Sequence, residues 1–217
     1  MKTLRKLTLI LALIVSVPIY SASAQESNSA SITELQSEWA KANYLLKGDE
    51  QLLAFEKLIE SADISNSESP NDAGLQIWTG IIKSTFAGVK GGLGALKFAK
   101  AAKVHLEKSL KIDDQALNGS AYTSLGTLYQ NVPGWPIGFG DNKKAKKFLL
   151  KAIKINPNGI DTNYFYADFL ADNDDYSVAK QYFIKALAAE PRVGREVADE
   201  GRRREIQLAL VDLEKHL

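Results

Sequence analysis

The sequence predicts an all-α solenoid of about four helical hairpins, with a C-terminal capping helix and one Pro/Gly/aromatic insertion loop. Three observations predict it. Every apolar segment after the first two dozen residues recurs at helical spacing, and none keeps the alternation of a strand. Ala145, Leu149, Ala152 and Pro157 match Ala179, Phe183, Ala186 and Pro191, each 34 residues further on. The 217-residue chain is 45% hydrophobic and 24% charged, the balance of a folded protein with room for a core.

The N-terminus reads as an address. Lys2, Arg5 and Lys6 precede an apolar run from Leu7 to Tyr20, followed by Ser21-Ala22-Ser23-Ala24. A basic start, a short apolar stretch and a small-x-small end predict a signal segment cut after Ala24. The run is shorter than the ~20 residues that span a bilayer, and Pro18 breaks it. The expectation is therefore a signal peptide over 1–24, a flexible 25–31 stretch and a helical domain over 32–217. The mature protein would be periplasmic, with no stable membrane anchor after cleavage. The formal net charge is +1, but the leader carries +3, leaving −2 for the remainder. Such a chain lacks the positive field of a nucleic-acid binder. With no cysteine, disulfides, thiolate zinc sites, a catalytic thiol and a lipidated cysteine are excluded.

The 34-residue period and the A-x3-F…A…P spacing resemble the second helix of a tetratricopeptide repeat. A small alanine lets two helices approach, a larger residue one turn later fills the gap, and proline stops the helix. The preceding helix should read W-x2-L-G-x2-Y. Tyr122, Leu125, Gly126 and Tyr129 fit that template; Asn163, Tyr166, Ala167 and Leu170 fit it loosely. An earlier repeat is read in Ala102, Leu106, Ser109 and Asp114, preceded by Phe86, Val89 and Leu93. A degenerate first pair carries Trp39, Ala42 and Leu46, then Phe55, Ile59 and Ala62, with Gly48-Asp49 as the turn. Arg202 to His216 forms the final helix, its charge suiting a solvent-facing cap.

Two stretches interrupt the rhythm. Ile64 to Leu75 encloses a run of Ser, Asn, Asp, Glu, Gly and Pro70, and reads as a loop. Tyr129 to Ala145 spans sixteen positions where Leu170 to Ala179 spans nine, so seven extra residues enter one hairpin. That insertion, NVPGWPIGFGD, is too rich in Pro and Gly for a helix and too apolar for an idle loop.

The stretch from Leu117 to Leu170, PGWPIGFGD above all, resembles a family of exported bacterial tetratricopeptide proteins related to the T-component of tripartite ATP-independent periplasmic (TRAP) transporters. The resemblance covers the chain from about Trp39 to the C-terminal helix. It implies a binding scaffold that pairs with a periplasmic substrate-binding protein and handles an apolar ligand. The absence of a cysteine departs from the lipid-anchored T-component.

The candidate binding residues follow. Trp135 and Phe139 form either a lip over a pocket or a plug buried in the solenoid. Ser120, Thr123, Thr127, Tyr164 and Asp168 fall between packing positions of first helices, on the concave side, where hydroxyls, a phenol and a carboxylate suit hydrogen bonding. Gly88, Gly91, Gly92 and Gly94 lack the Gly-Lys-Ser/Thr of a phosphate loop and read as close packing or a cavity floor. Lys143, Lys144, Lys146 and Lys147 read as a solvated face, as does Arg202-Arg203-Arg204, with acids such as Asp141, Asp199 and Glu200 nearby. His105 and His216 lack ligand-like companions, so no metal is expected, no cofactor is implied, and no catalytic constellation is assembled. The functional expectation is a non-catalytic periplasmic adaptor binding a protein partner in an open groove, or a carrier of a small apolar ligand in a closed pocket.

Overall fold

The computed structural model describes residues 22–217, with side chains from residue 32 onward except that of Leu93. The expected signal segment, 1–24, and the 25–31 stretch fall outside the residues described with their side chains. The described residues form α1 (Ala22–Tyr44), α2 (Gly48–Glu68), α3 (Ala73–Lys90), α4 (Gly92–Ile112), α5 (Ala116–Asn131), α6 (Asn142–Ile155), α7 (Ile160–Ala171), α8 (Tyr176–Leu187) and α9 (Glu196–Leu213). Four antiparallel pairs precede the ninth helix.

One packing rule builds the last three pairs. Ala102, Ala145 and Ala179 are each fully buried, and Leu106, Leu149 and Phe183 follow one turn later with 0%, 0% and 1% exposure. The facing helix offers a glycine to the leucine. A methyl on Gly80 would lie 2.6 Å from Leu106 Cγ, and one on Gly126 at the same distance from Leu149 Cγ. The buried Ala167 stands at this position in α7. This places the template register of α3 on Gln76, Thr79, Gly80 and Lys83, upstream of the apolar Phe86 and Val89 that the sequence suggests.

Those polar residues explain the difference. Asn66 and Thr79 are buried, and the Asn66 amide donates to Thr79 Oγ1 at 2.6 Å while Thr79 donates to the Leu75 carbonyl at 2.8 Å. With its polar side chains satisfied, α2 runs on to Glu68, and the loop expected between Ile64 and Leu75 shrinks to residues 69–72. Gln76 donates to the Pro70 carbonyl at 2.9 Å, and Asn163 to the Pro157 carbonyl at 2.9 Å, the same six-residue reach at two junctions. The glycine cluster makes the turn between α3 and α4 rather than a cavity floor. Gly91 and Gly92 both hold φ of 61°, a left-handed geometry that favours glycine.

The insertion occupies residues 132–141 and folds on its own backbone. Gly140 N–H donates to the Pro133 carbonyl at 3.0 Å, and Asp141 N–H to that of Tyr129 at 2.8 Å. Asp141 then caps α6 through the amides of Lys143 and Lys144. Phe139 meets the Tyr129 ring edge-on at 5.4 Å, whereas Trp135 is 90% exposed. The two rings expected to act together point to different fates: Phe139 packs and Trp135 stands in solvent.

The first helices of the pairs form an inner ring. α1 touches α3, α3 touches α5, α5 touches α7, α7 touches α9, and α9 returns to α1. α9 is therefore a closing element as well as a cap. A methyl on Gly201 would sit 2.3 Å from the Tyr44 ring, so glycine is what lets α9 approach α1. Ala198 joins the apolar cluster of Trp39, Phe55 and Trp78, with Val197 packed against it.

His105 of α4 is a half-buried titratable group that meets side chains of α3. His105 Nε2 lies 3.2 Å from Lys83 Nζ, and Nδ1 lies 2.8 Å from Gln76 Oε1. Lysine can only donate, so the imidazole is neutral with its proton on Nδ1. Lys83 itself pairs with Asp63 at 2.6 Å. Burial, then the Lys83 charge, holds His105 below its ordinary value of 6.5.

Two predictions follow from this packing. Ala145→Leu should cost about 3 kcal/mol of unfolding free energy through overpacking, read by urea denaturation, while Trp135→Ala should change it by less than about 0.5 kcal/mol with circular dichroism unaltered. The depressed His105 makes its contribution to stability fully present above its unfolded value near 6.5 and progressively lost as the pH falls below that. His105→Gln should flatten this decline when unfolding is followed from pH 8 to pH 5.

Candidate functional site

Closing the ring leaves a cavity of about 310 Å³ at its centre. Trp39 of α1, Trp78 and Ile81 of α3, Ser120, Thr123 and Thr127 of α5, and Asp161 and Phe165 of α7 line it, with Arg192, Arg195 and Arg202 on the α9 side. Helical spacing delivers these side chains: the outward faces of the first helices bury alanine and leucine, so what remains turns to the ring's interior. The size suits a small molecule.

The backbone at one edge is strained. Leu117, Asn118 and Gly119 hold φ of 48°, 55° and 73° at the start of α5. Three consecutive left-handed residues, two of them not glycine, cost energy that the surroundings must supply. Leu117 and Asn118 both border the cavity.

A charge network seals α7 to α9. Arg202 is 6% exposed and donates to Asp161 at 2.9 Å and to Glu205 at 2.6 Å. Its guanidinium lies 4.2 Å from the Tyr164 ring centroid and 4.5 Å from that of Phe165. Arg192 reaches the other oxygen of Asp161 at 2.7 Å and takes Asp199 through Nε at 2.7 Å. Burial pulls Asp161 upward, but Arg202 and then Arg192 outweigh it and hold the carboxyl at about 2. Burial likewise pushes the Tyr164 phenol up to about 12.

Arg195 differs from its two neighbours. Its guanidinium lies 5.1 Å from the Trp78 ring centroid, and among the described residues no carboxylate pairs with it. Its Nε is buried without an acceptor, and so is the indole N–H of Trp78. Trp39, by contrast, donates to Thr85 at 2.9 Å.

The residues singled out from sequence divide. Ser120, Thr123 and Thr127 line the cavity together. Their hydroxyls are partly spent on the backbone: Ser120 donates to the Leu117 carbonyl at 2.6 Å, and Thr127 to that of Thr123 at 3.1 Å. Tyr164 lies beneath Arg202, behind the wall. Asp168 accepts from Gln130 at 3.1 Å, and burial with the nearby Asp172 charge raises its pKa. Trp135 and Phe139 sit beyond the far end of α5. Sequence reasoning missed Trp78, Arg192 and Arg195, and it left Arg202 on a solvated face. In the structure the three consecutive arginines part company: Arg202 is buried, Arg203 donates to the Leu187 and Ala189 carbonyls, and Arg204 meets Glu200 at the surface. A helical period of 3.6 sends neighbours in different directions, which a charge run conceals.

Comparison with known proteins places the repeats. The model of the tetratricopeptide repeat matches residues 137–158 and 160–192. The first segment contains α6, and the second contains α7 and α8. The chain is also 31% identical over 68 residues to the Sol locus transcriptional repressor of Clostridium acetobutylicum, a match covering 31% of this chain and 19% of that protein. The chain thus aligns with only about a fifth of that relative's length. Set beside the matched segments, the Gly/Leu contact shared by the α3–α4 and α5–α6 pairs extends the pattern upstream. Residues 137–158 and 160–192 match tetratricopeptide repeats, and the described residues fold as a tetratricopeptide-repeat-like helical solenoid of four pairs joined end to end by α9.

Proposed function

We propose that this protein is a non-catalytic binding protein acting in the periplasm, and that it carries a small ligand in the cavity of its inner ring. The observation that supports this reading is the return of α9 onto α1. An adaptor of the open-groove kind needs a concave face along which a peptide can lie. Here the first and last helices meet, and what that face offers is a part-open cavity of about 310 Å³ walled by Trp39, Trp78 and Phe165. Chemistry is disfavoured by the same residues. Asp161, held at about 2 by two guanidiniums, is a poor general base at neutral pH. The aromatic walls suit the apolar body expected from the resemblance to the T-component, and a TRAP-type transport system would supply a substrate-binding protein as partner.

Tetratricopeptide repeats generally mediate protein–protein contacts, and one observation favours a partner surface beside the cavity. Trp135 is 90% exposed and Ile137 is 67% exposed on the same loop. A rigid loop holding large apolar side chains in water is the place where such a partner would sit.

Native mass spectrometry of protein purified from the periplasm, followed by denaturing extraction, tests the carrier reading. A small molecule should remain bound through gentle ionisation and be released on denaturation. Ser124→Phe, which fills the cavity from α5, should remove that molecule while leaving the circular dichroism spectrum unchanged. An empty wild-type protein that cross-links through residues 133–139 to another protein would replace the carrier with the adaptor.

A further inference from the structure

The cavity holds two hydrogen-bond donors that the protein leaves without acceptors, and they are neighbours. Trp78 is 5% exposed, yet its indole N–H meets no acceptor. Arg195, stacked over that indole at 5.1 Å, has a buried Nε in the same condition. Burying an unmet donor costs about 1–3 kcal/mol, more when the group is charged. An interior normally matches such groups, as the surrounding residues demonstrate: Trp39 has Thr85, Arg202 has Asp161 and Glu205, and Arg192 has Asp161 and Asp199. The acids at this wall are committed to the other two arginines. Arg195, half-buried at the cavity wall, therefore has no carboxylate in direct contact, and Asp161 and Asp199 act on it only through space.

We propose that Arg195 and Trp78 form an anion subsite in the cavity, and that the ligand class is a small organic carboxylate with an apolar body. This rests on the cavity being the binding site. The choice of a single negative charge follows from the charge balance of the wall, where Arg192, Arg195 and Arg202 stand against Asp161, Asp199 and Glu205. With no net charge to spare, one carboxylate drawn to Arg195, which no carboxylate contacts, adds a single negative charge, the least an anion can bring. A phosphate dianion would bring a second charge into a wall where Asp161 is ionised. The two oxygens of a carboxylate also match two N–H donors, one from guanidinium and one from indole. The apolar body lies against the faces of Trp39 and Phe165 and against Ile81. Burial first, then the neighbouring Arg192 charge, lowers the pKa of Arg195, outweighing the opposite pull of Asp161 and Asp199.

A site of this kind has a signature that a structural residue lacks. Removing a half-buried cation that no carboxylate contacts should leave the empty protein as stable or more so, while binding is lost. The test is isothermal titration of the purified protein with benzoate and hexanoate, with benzamide and hexanamide as uncharged matches and phenyl phosphate as the dianion. The carboxylates should bind at least tenfold more tightly than the amides. Arg195→Gln should abolish that preference with its melting temperature unchanged or raised, and Trp78→Phe should weaken carboxylate binding severalfold. Amides binding as well as carboxylates, or full affinity in Arg195→Gln, would overturn the anion subsite and leave the cavity a ligand site. Phenyl phosphate binding tighter than benzoate would overturn the carboxylate assignment. No binding by any probe, with a wild-type protein that is empty in native mass spectrometry, would overturn both this subsite and the carrier reading.

Discussion

Arg202 sits where two parts of the molecule must agree. A guanidinium withdrawn from water is tolerable only with partners in place, and its partners come from α7 and from its own helix: Asp161 and Glu205, with the rings of Tyr164 and Phe165 beneath. Apolar packing alone would let α9 slide against α7 at modest cost. Charged, directional contacts fix its register, and that register sets Gly201 opposite Tyr44 and Ala198 among the apolar residues of α1 to α3. The cavity wall, the placement of Arg195 and the union of first and last helices all follow from this one alignment.

Closure changes what a helical repeat can do. In an open array the inner faces present a surface; joined end to end they present a volume. The same residues that would touch an extended peptide, Ser120, Thr123 and Thr127, here look across at Trp39 and Trp78. The two lone donors acquire meaning only in that setting, because at an open surface water would satisfy them without consequence.

Much of the fold was legible because the repeat has a strict steric rule. Alanine at 145 and 179 with a large residue four positions on is a pattern that packing enforces, and so both pairs were found from sequence. The α3 helix was misplaced for a physical reason: Gln76, Thr79 and Lys83 stand where apolar residues are expected, held by Asn66, Asp63 and His105 from adjacent helices. Polar residues rescued by distant partners look like loop or surface in one dimension. The candidate site was legible in its α5 part, where small hydroxyls between packing positions marked the inner face. Its arginine wall was not, since nothing local separates the buried Arg202 from the exposed Arg204. Only the returning chain does.

The Tyr44–Glu205 contact joins residues 161 positions apart, whereas most helix pairings among the described residues are between sequence neighbours. Helical repeats condense quickly from short-range contacts, whereas bringing two remote ends together carries the entropy of a long closed loop. The seam is then the last part of the protein to form and the first to open. An array that is already folded but not yet joined would expose Trp39 and Trp78 to solvent, so a ligand that bridges the ring's interior also acts as its clasp. Occupancy would be registered at the α1–α9 seam as slower opening, some distance from the atoms that touch the ligand.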